Sequence, residues 1–85
     1  MEIRVGHVTH YYSHLGVAAI EVETGDLKVG DTIHIKGHTT DLTQPVESME
    51  FEHQKIAEAR PGQSVGIKVK EHVRENDAVM KVVPD

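Results

Sequence analysis

The chain has 85 residues, a formal charge of −5 and no cysteine. At this length only roughly 60% of the unfolded chain's surface is buried on folding, so a modest core and no deep catalytic cleft are expected. Disulfides and thiolate zinc modules are excluded, the acidic balance opposes nonspecific phosphate binding, and Tyr11, Tyr12 and Phe51 are the only aromatics on which bases could stack.

In chain order, the segment from Met1 to Gly6 lacks the basic and apolar blocks of a signal peptide, and no later apolar run approaches the ~18 residues of a membrane span. One cytoplasmic domain over residues 1–85, without membrane contact, is the expectation. Ile3 and Val5 share one parity and Val8 the other, which predicts a first strand bent by a bulge at Gly6. Alternation of apolar and polar residues then predicts half-buried strands at Ala18, Ile20 and Val22, at Ile33 and Ile35, at Met49 and Phe51, at Val65, Ile67 and Val69, and near Val79. The stretch from His53 to Ala59 reads as a loop or short turn.

Three segments echo one another: Leu27 to Ile33, Ala59 to Val65 and Val73 to Val79. Each has Gly or Asn in its fourth position, at Gly30, Gly62 and Asn76. These residues enter the left-handed backbone region cheaply, so each segment predicts a tight turn feeding a strand. Such corners suit a closing barrel, and short strands with turn signals at this spacing favour an all-β sandwich or a small barrel.

Leu27-Lys28-Val29-Gly30-Asp31-Thr32-Ile33-His34-Ile35 resembles the strand-turn-strand of domain II in translational GTPases such as elongation factor Tu and initiation factor 2. The other two echo segments resemble later elements of that domain, with Asn76 in place of a glycine. The chain also looks like stand-alone elongation-factor-like proteins and like the barrel appended to some collagenase-like peptidases. The resemblance implies a six-stranded Greek-key barrel that contacts ribosomal or transfer RNA or a ribonucleoprotein in protein biosynthesis. No phosphate-loop motif is present, so GTP binding is not carried over. The family's Gly-Arg-Gly turn, in the region of Val8 to Gly16 that would receive the aminoacyl end of transfer RNA, is replaced by Ser13-His14-Leu15-Gly16.

Gly62-Gln63-Ser64-Val65-Gly66 matches the G-x-S-x-G pattern, but it runs from a turn into a strand, whereas a nucleophile elbow needs a following helix. A monomeric, non-enzymatic binding protein without cofactor is therefore expected. Its alternatives are an accessory barrel for a separate peptidase or RNA-modifying enzyme, and a histidine metal protein. The pairs His10/His14 and His34/His38 suit a metal only on a helix or across a sharp turn, so no metal ligand is assigned. The candidate contact residues are Tyr11, Tyr12 and His14 on the domain II-like surface. To these the polar segment from Gly37 to Gln44 adds His38, Thr39, Thr40, Asp41 and Gln44, because hydroxyl-rich loops often carry function.

Overall fold

The structure, a computed structural model, describes residues 1–84. Ten strands form in chain order: β1 (Glu2–Tyr12), β2 (Val17–Val22), β3 (Leu27–Lys28), β4 (Thr32–Lys36), β5 (Asp41–Pro45), β6 (Met49–Phe51), β7 (Gln54–Ile56), β8 (Glu58–Ala59), β9 (Ser64–Lys68) and β10 (Ala78–Val82). Eight of them make one sheet in the order β5-β4-β10-β1-β2-β9-β6-β7, and β3 pairs with β8 as a separate ribbon. All pairings are antiparallel.

This corrects the expected closed six-stranded Greek-key barrel, because both sheets are open. The long sheet nevertheless curls far enough to bring its first strand to its sixth. Gln44 of β5 donates from its side-chain amide to the Lys68 carbonyl at 2.8 Å and accepts from the Lys70 N–H at 2.8 Å. A side chain thus spans the seam that a barrel would close with a backbone ladder. Pro45, which lacks an N–H, ends β5 and leaves the edge one donor short.

Alternation succeeds where it was read. Ala18, Ile20 and Val22 of β2, Ile33 and Ile35 of β4, Val65 and Ile67 of β9 and Val79 of β10 are buried in one cluster with Val5, Val8, Leu27, Met49 and Val73. Each fully buried Val or Ile side chain contributes about 1.5–3 kcal/mol relative to exposure. The first strand is bent as expected, since its register against β10 slips between Arg4 and Gly6 and its register against β2 slips between Val8 and His10. The segment from His53 to Ala59, read as a loop, instead supplies β7 and β8. Its few apolar residues masked two short edge strands.

The three echo segments are one device used three times. Gly30, Gly62 and Asn76 have φ of 100°, 92° and 73°. In each corner the residue after the Gly or Asn donates its N–H back three residues at 3.1 Å: Asp31 to Lys28, Gln63 to Arg60 and Asp77 to Arg74. The same residue's side chain accepts the N–H of that earlier residue at 2.7–2.8 Å. Every corner is a doubly tied turn of the type II pattern, and each launches a strand, β4, β9 or β10.

No helix among the described residues is long and apolar enough to cross a membrane.

Candidate functional site

The outward face of β1, β2, β9, β6 and β7 is built from rows of directly opposed residues. One row runs His10, Ala19, Gly66, Glu50, Lys55, and the next runs Tyr12, Val17, Lys68. The middle of the first row, Ala19 and Gly66, has almost no side chain, so the taller neighbours enclose a trough. Its apolar wall is Tyr12 with Leu15, a residue of the β1–β2 turn, 47% and 64% exposed. The opposite wall carries Glu50, Glu52 and His53. The trough comprises two hollows of about 400 and 410 Å³ that share Leu15, Val17, Glu50 and Gly66, and the second ends at Lys55 and Lys68.

The β6–β7 turn that forms the acidic wall is unusual. Glu52 and His53 have φ of 52° and 66°, and Phe51 pairs with Gln54 across them. Two successive positive φ values in a two-residue hairpin favour Asn-Gly, and bulkier residues there are strained. Replacing Glu52 and His53 with Asn-Gly is expected to raise stability by about 1–2 kcal/mol, measured by urea unfolding. An unchanged or lower midpoint would show that the turn is relaxed as it stands.

A second hollow of about 330 Å³ is lined by His10, Tyr11, Ser13, His72, Arg74 and Glu75. The Tyr11 and His72 rings stand 4.5 Å apart, His10 Nδ1 lies 3.4 Å from Glu75, and Arg74 Nε donates to Thr39 Oγ1 at 3.3 Å.

The expected contact residues divide accordingly. Arg74 and His72 bring Tyr11 and Thr39 onto one face, whereas Tyr12, whose ring meets His10 at 4.4 Å, turns to the trough. His14 and His38 are exposed on separate turns. The polar loop is shorter than it reads, because Lys36 pairs with Asp41 and Gly37 bonds Thr40, leaving four loop residues. Thr40 is buried and its hydroxyl has no hydrogen-bond partner among the described residues, Gln44 is buried in the seam, and Asp41 is tied to His34 and Lys36. Sequence reading missed the trough itself, namely Leu15, Val17, Ala19, Gly66, Glu50, Glu52 and His53. The available signal was a glycine in mid-strand, which often marks a close approach of another molecule.

The histidines are dispersed, each with its own carboxylate where one is near: His7 with Glu23, His10 with Glu75, and His34 with Glu2 and Asp41. Among the described residues no three potential ligands converge on a metal site. His34 Nδ1 is 3.0 Å from both Glu2 oxygens and Nε2 is 2.5 Å from Asp41 Oδ1, a geometry that places an acceptor at each ring nitrogen and so suits the imidazolium. The hydrogen bonds to Glu2 and then Asp41 raise its pKa above the ordinary 6.5, and the bond to His34, followed by that to Lys36, lowers the pKa of Asp41.

A raised folded pKa for His34 makes its contribution complete below pH ~6.5 and lost as pH climbs through the folded value. Melting between pH 5.5 and 8.5 should therefore show a midpoint that falls toward the alkaline end. His34→Gln should flatten that dependence. An equal slope in the variant would assign it to other groups.

The fold defined by these strands has a solved counterpart. The C-terminal domain of a Geobacillus thermoleovorans protein described as a U32 peptidase superimposes with a TM-score of 0.85 at 26% identity, covering 93% of this chain and 91% of that one. Among curated proteins, a collagenase of Porphyromonas gingivalis is 43% identical over 81 residues, which are 94% of this chain and 20% of that protein. An uncharacterised protease of Methanocaldococcus jannaschii is 42% identical over 79 residues, 92% of this chain and 19% of that protein. The chain thus spans about a fifth of the length of the curated relatives it matches. No family model matches.

These findings correct four expectations together. Elongation factor 1-alpha of Pyrococcus horikoshii does match, at 37% over 73 residues and 78% of the chain. The longer and stronger likenesses, in sequence and in structure, are to peptidases, and the sheet is open. The elongation-factor domain II assignment, the role in protein biosynthesis and the ribosomal or transfer RNA partner are overturned by these stronger likenesses to peptidase and collagenase chains. The expectation of a non-enzymatic protein falls with them, because the likenesses are to peptidase and collagenase chains, as the alternative of an accessory barrel for a peptidase had it. The motifs misled because they encode turns: a Gly-Asp corner launching an Ile-rich strand is the same local solution in either setting.

Proposed function

We propose that this chain is a peptidase-associated domain that works beside the catalytic region of a U32-type, collagenase-like peptidase. The observation that carries this reading is the extent of the match to a C-terminal peptidase domain, nearly end to end in both chains, together with 43% identity to one fifth of a collagenase. In this reading residues 1–85 act as one domain in the cytoplasm, a compartment that a cysteine-free chain tolerates. The candidate contact residues in this reading are Tyr11 and Thr39 on one face, Tyr12 on the trough side, and His14 and His38 on their separate exposed turns. Thr40, Asp41 and Gln44 support that face from within the β4–β5 hairpin.

A tagged chain recovered from lysate of its own cells after ribonuclease treatment should carry a stoichiometric peptidase polypeptide, identified by mass spectrometry. Ribosomal proteins in its place would overturn the reading.

A further inference from the structure

We propose that the trough over β2, β9 and β6 docks an extended polypeptide segment in which a lysine or arginine neighbours an apolar residue. The choice of a polypeptide rests on the peptidase-associated reading. The choice of its side chains rests on the trough.

Its floor is Val17, Ala19 and Gly66, and its exposed apolar wall is Tyr12 and Leu15. Gly66 lies inside β9 without a positive φ, so the backbone does not require glycine there. A Cβ at that position would lie 3.2 Å from Val17 Cγ1 and would raise the floor of the trough. An interior glycine weakens a strand, and its placement beside Ala19 keeps open a spot where two neighbouring strands present almost no side chain.

Charge selects the occupant further. Among the described residues Glu50 and Glu52 form no ion pair, even though Lys55 is directly opposite Glu50 in the register. The long stem of a lysine or arginine can lie on the apolar floor while its charge meets these carboxylates, and Tyr12 offers an arginine a ring face. Lys55 and Lys68 hold the far end, where a segment's carbonyls or an acidic residue would be met. A neutral or acidic apolar segment would leave Glu50 and Glu52 unmatched.

The test uses the full chain and two dye-labelled peptides read by fluorescence anisotropy, Gly-Val-Arg-Leu-Arg-Gly and its counterpart with glutamate in place of arginine. The basic peptide should bind at least about tenfold more tightly, with affinity falling as salt rises. The double variant Glu50→Gln/Glu52→Gln should lose about tenfold toward the basic peptide. Leu15→Ser, altering an exposed turn residue without adding charge, should also weaken binding of the uncharged flank. Equal binding of the two peptides, or unchanged affinity in both trough variants, would overturn the proposal. So would displacement of the peptide by a single-stranded RNA oligonucleotide. If the basic peptide fails while the tagged chain still captures a peptidase, the docking site falls and the peptidase association stands. If the peptide binds but no peptidase is recovered, the reverse holds.

Discussion

Replacing Gly6 with alanine is expected to destabilise the fold by about 3–4 kcal/mol, among the largest effects of any single methyl group in the chain. Gly6 is buried where β1 passes between β10 and β2, opposite Val79 on one side and Val22 on the other. A Cβ there would overlap the Glu21 carbonyl oxygen and crowd the Glu21 carbonyl carbon and Val22 Cα. All three are backbone atoms in the neighbouring strand, so relief requires β1 and β2 to part. The φ of Gly6 is not in the left-handed region, and the penalty is therefore one of contact. Urea unfolding of Gly6→Ala beside Gly66→Ala separates the two kinds of glycine. The latter meets only a movable Val17 methyl, and its stability should stay within about 0.5 kcal/mol of the parent. Comparable losses in both would refute the distinction.

Gln44→Ala should cost about 3 kcal/mol and lower the melting temperature by roughly 12–24 °C. Gln44 is 4% exposed and holds two backbone groups of the β9 extension, the Lys68 carbonyl and the Lys70 N–H, at 2.8 Å each. Truncation leaves both without partners inside the seam, and an unsatisfied buried group costs more than a satisfied one contributes. Gln44→Glu keeps an acceptor for Lys70 but loses the donor to Lys68, so it should fall between parent and alanine. Hydrogen exchange at Lys70 should accelerate in Gln44→Ala, which removes its acceptor. A stable Gln44→Ala protein with unchanged exchange would mean that the seam is held elsewhere.

The strands and corners were legible because their causes are local. Alternation at Ile33 and Ile35 or at Val65 and Ile67 selects the buried face through the period of two, and Gly30, Gly62 and Asn76 supply the left-handed positions that the turns need. The His53 to Ala59 stretch was misread because β7 and β8 are only three and two residues long. Strands that short take their conformation from β6 and β3, which their own sequence does not reveal. Of the candidate contact residues, Tyr11, Tyr12 and His14 sit on exposed or half-exposed surface, but Gln44 and Asp41 could be told from contact residues only once their partners, 24 residues on in Lys68 and seven back in His34, were in place.

By itself, then, the sequence determined an all-β chain with three glycine or asparagine corners, a bent first strand and a core of alternating Val and Ile. Each of these follows from interactions within a few residues. Only the tertiary structure decided that the sheet stays open with a glutamine across its seam, and that Ala19, Gly66, Tyr12, Leu15 and Glu50 assemble into one trough. Closure and trough alike depend on register between strands far apart in the chain, where a shift of one residue would send every side chain to the opposite face.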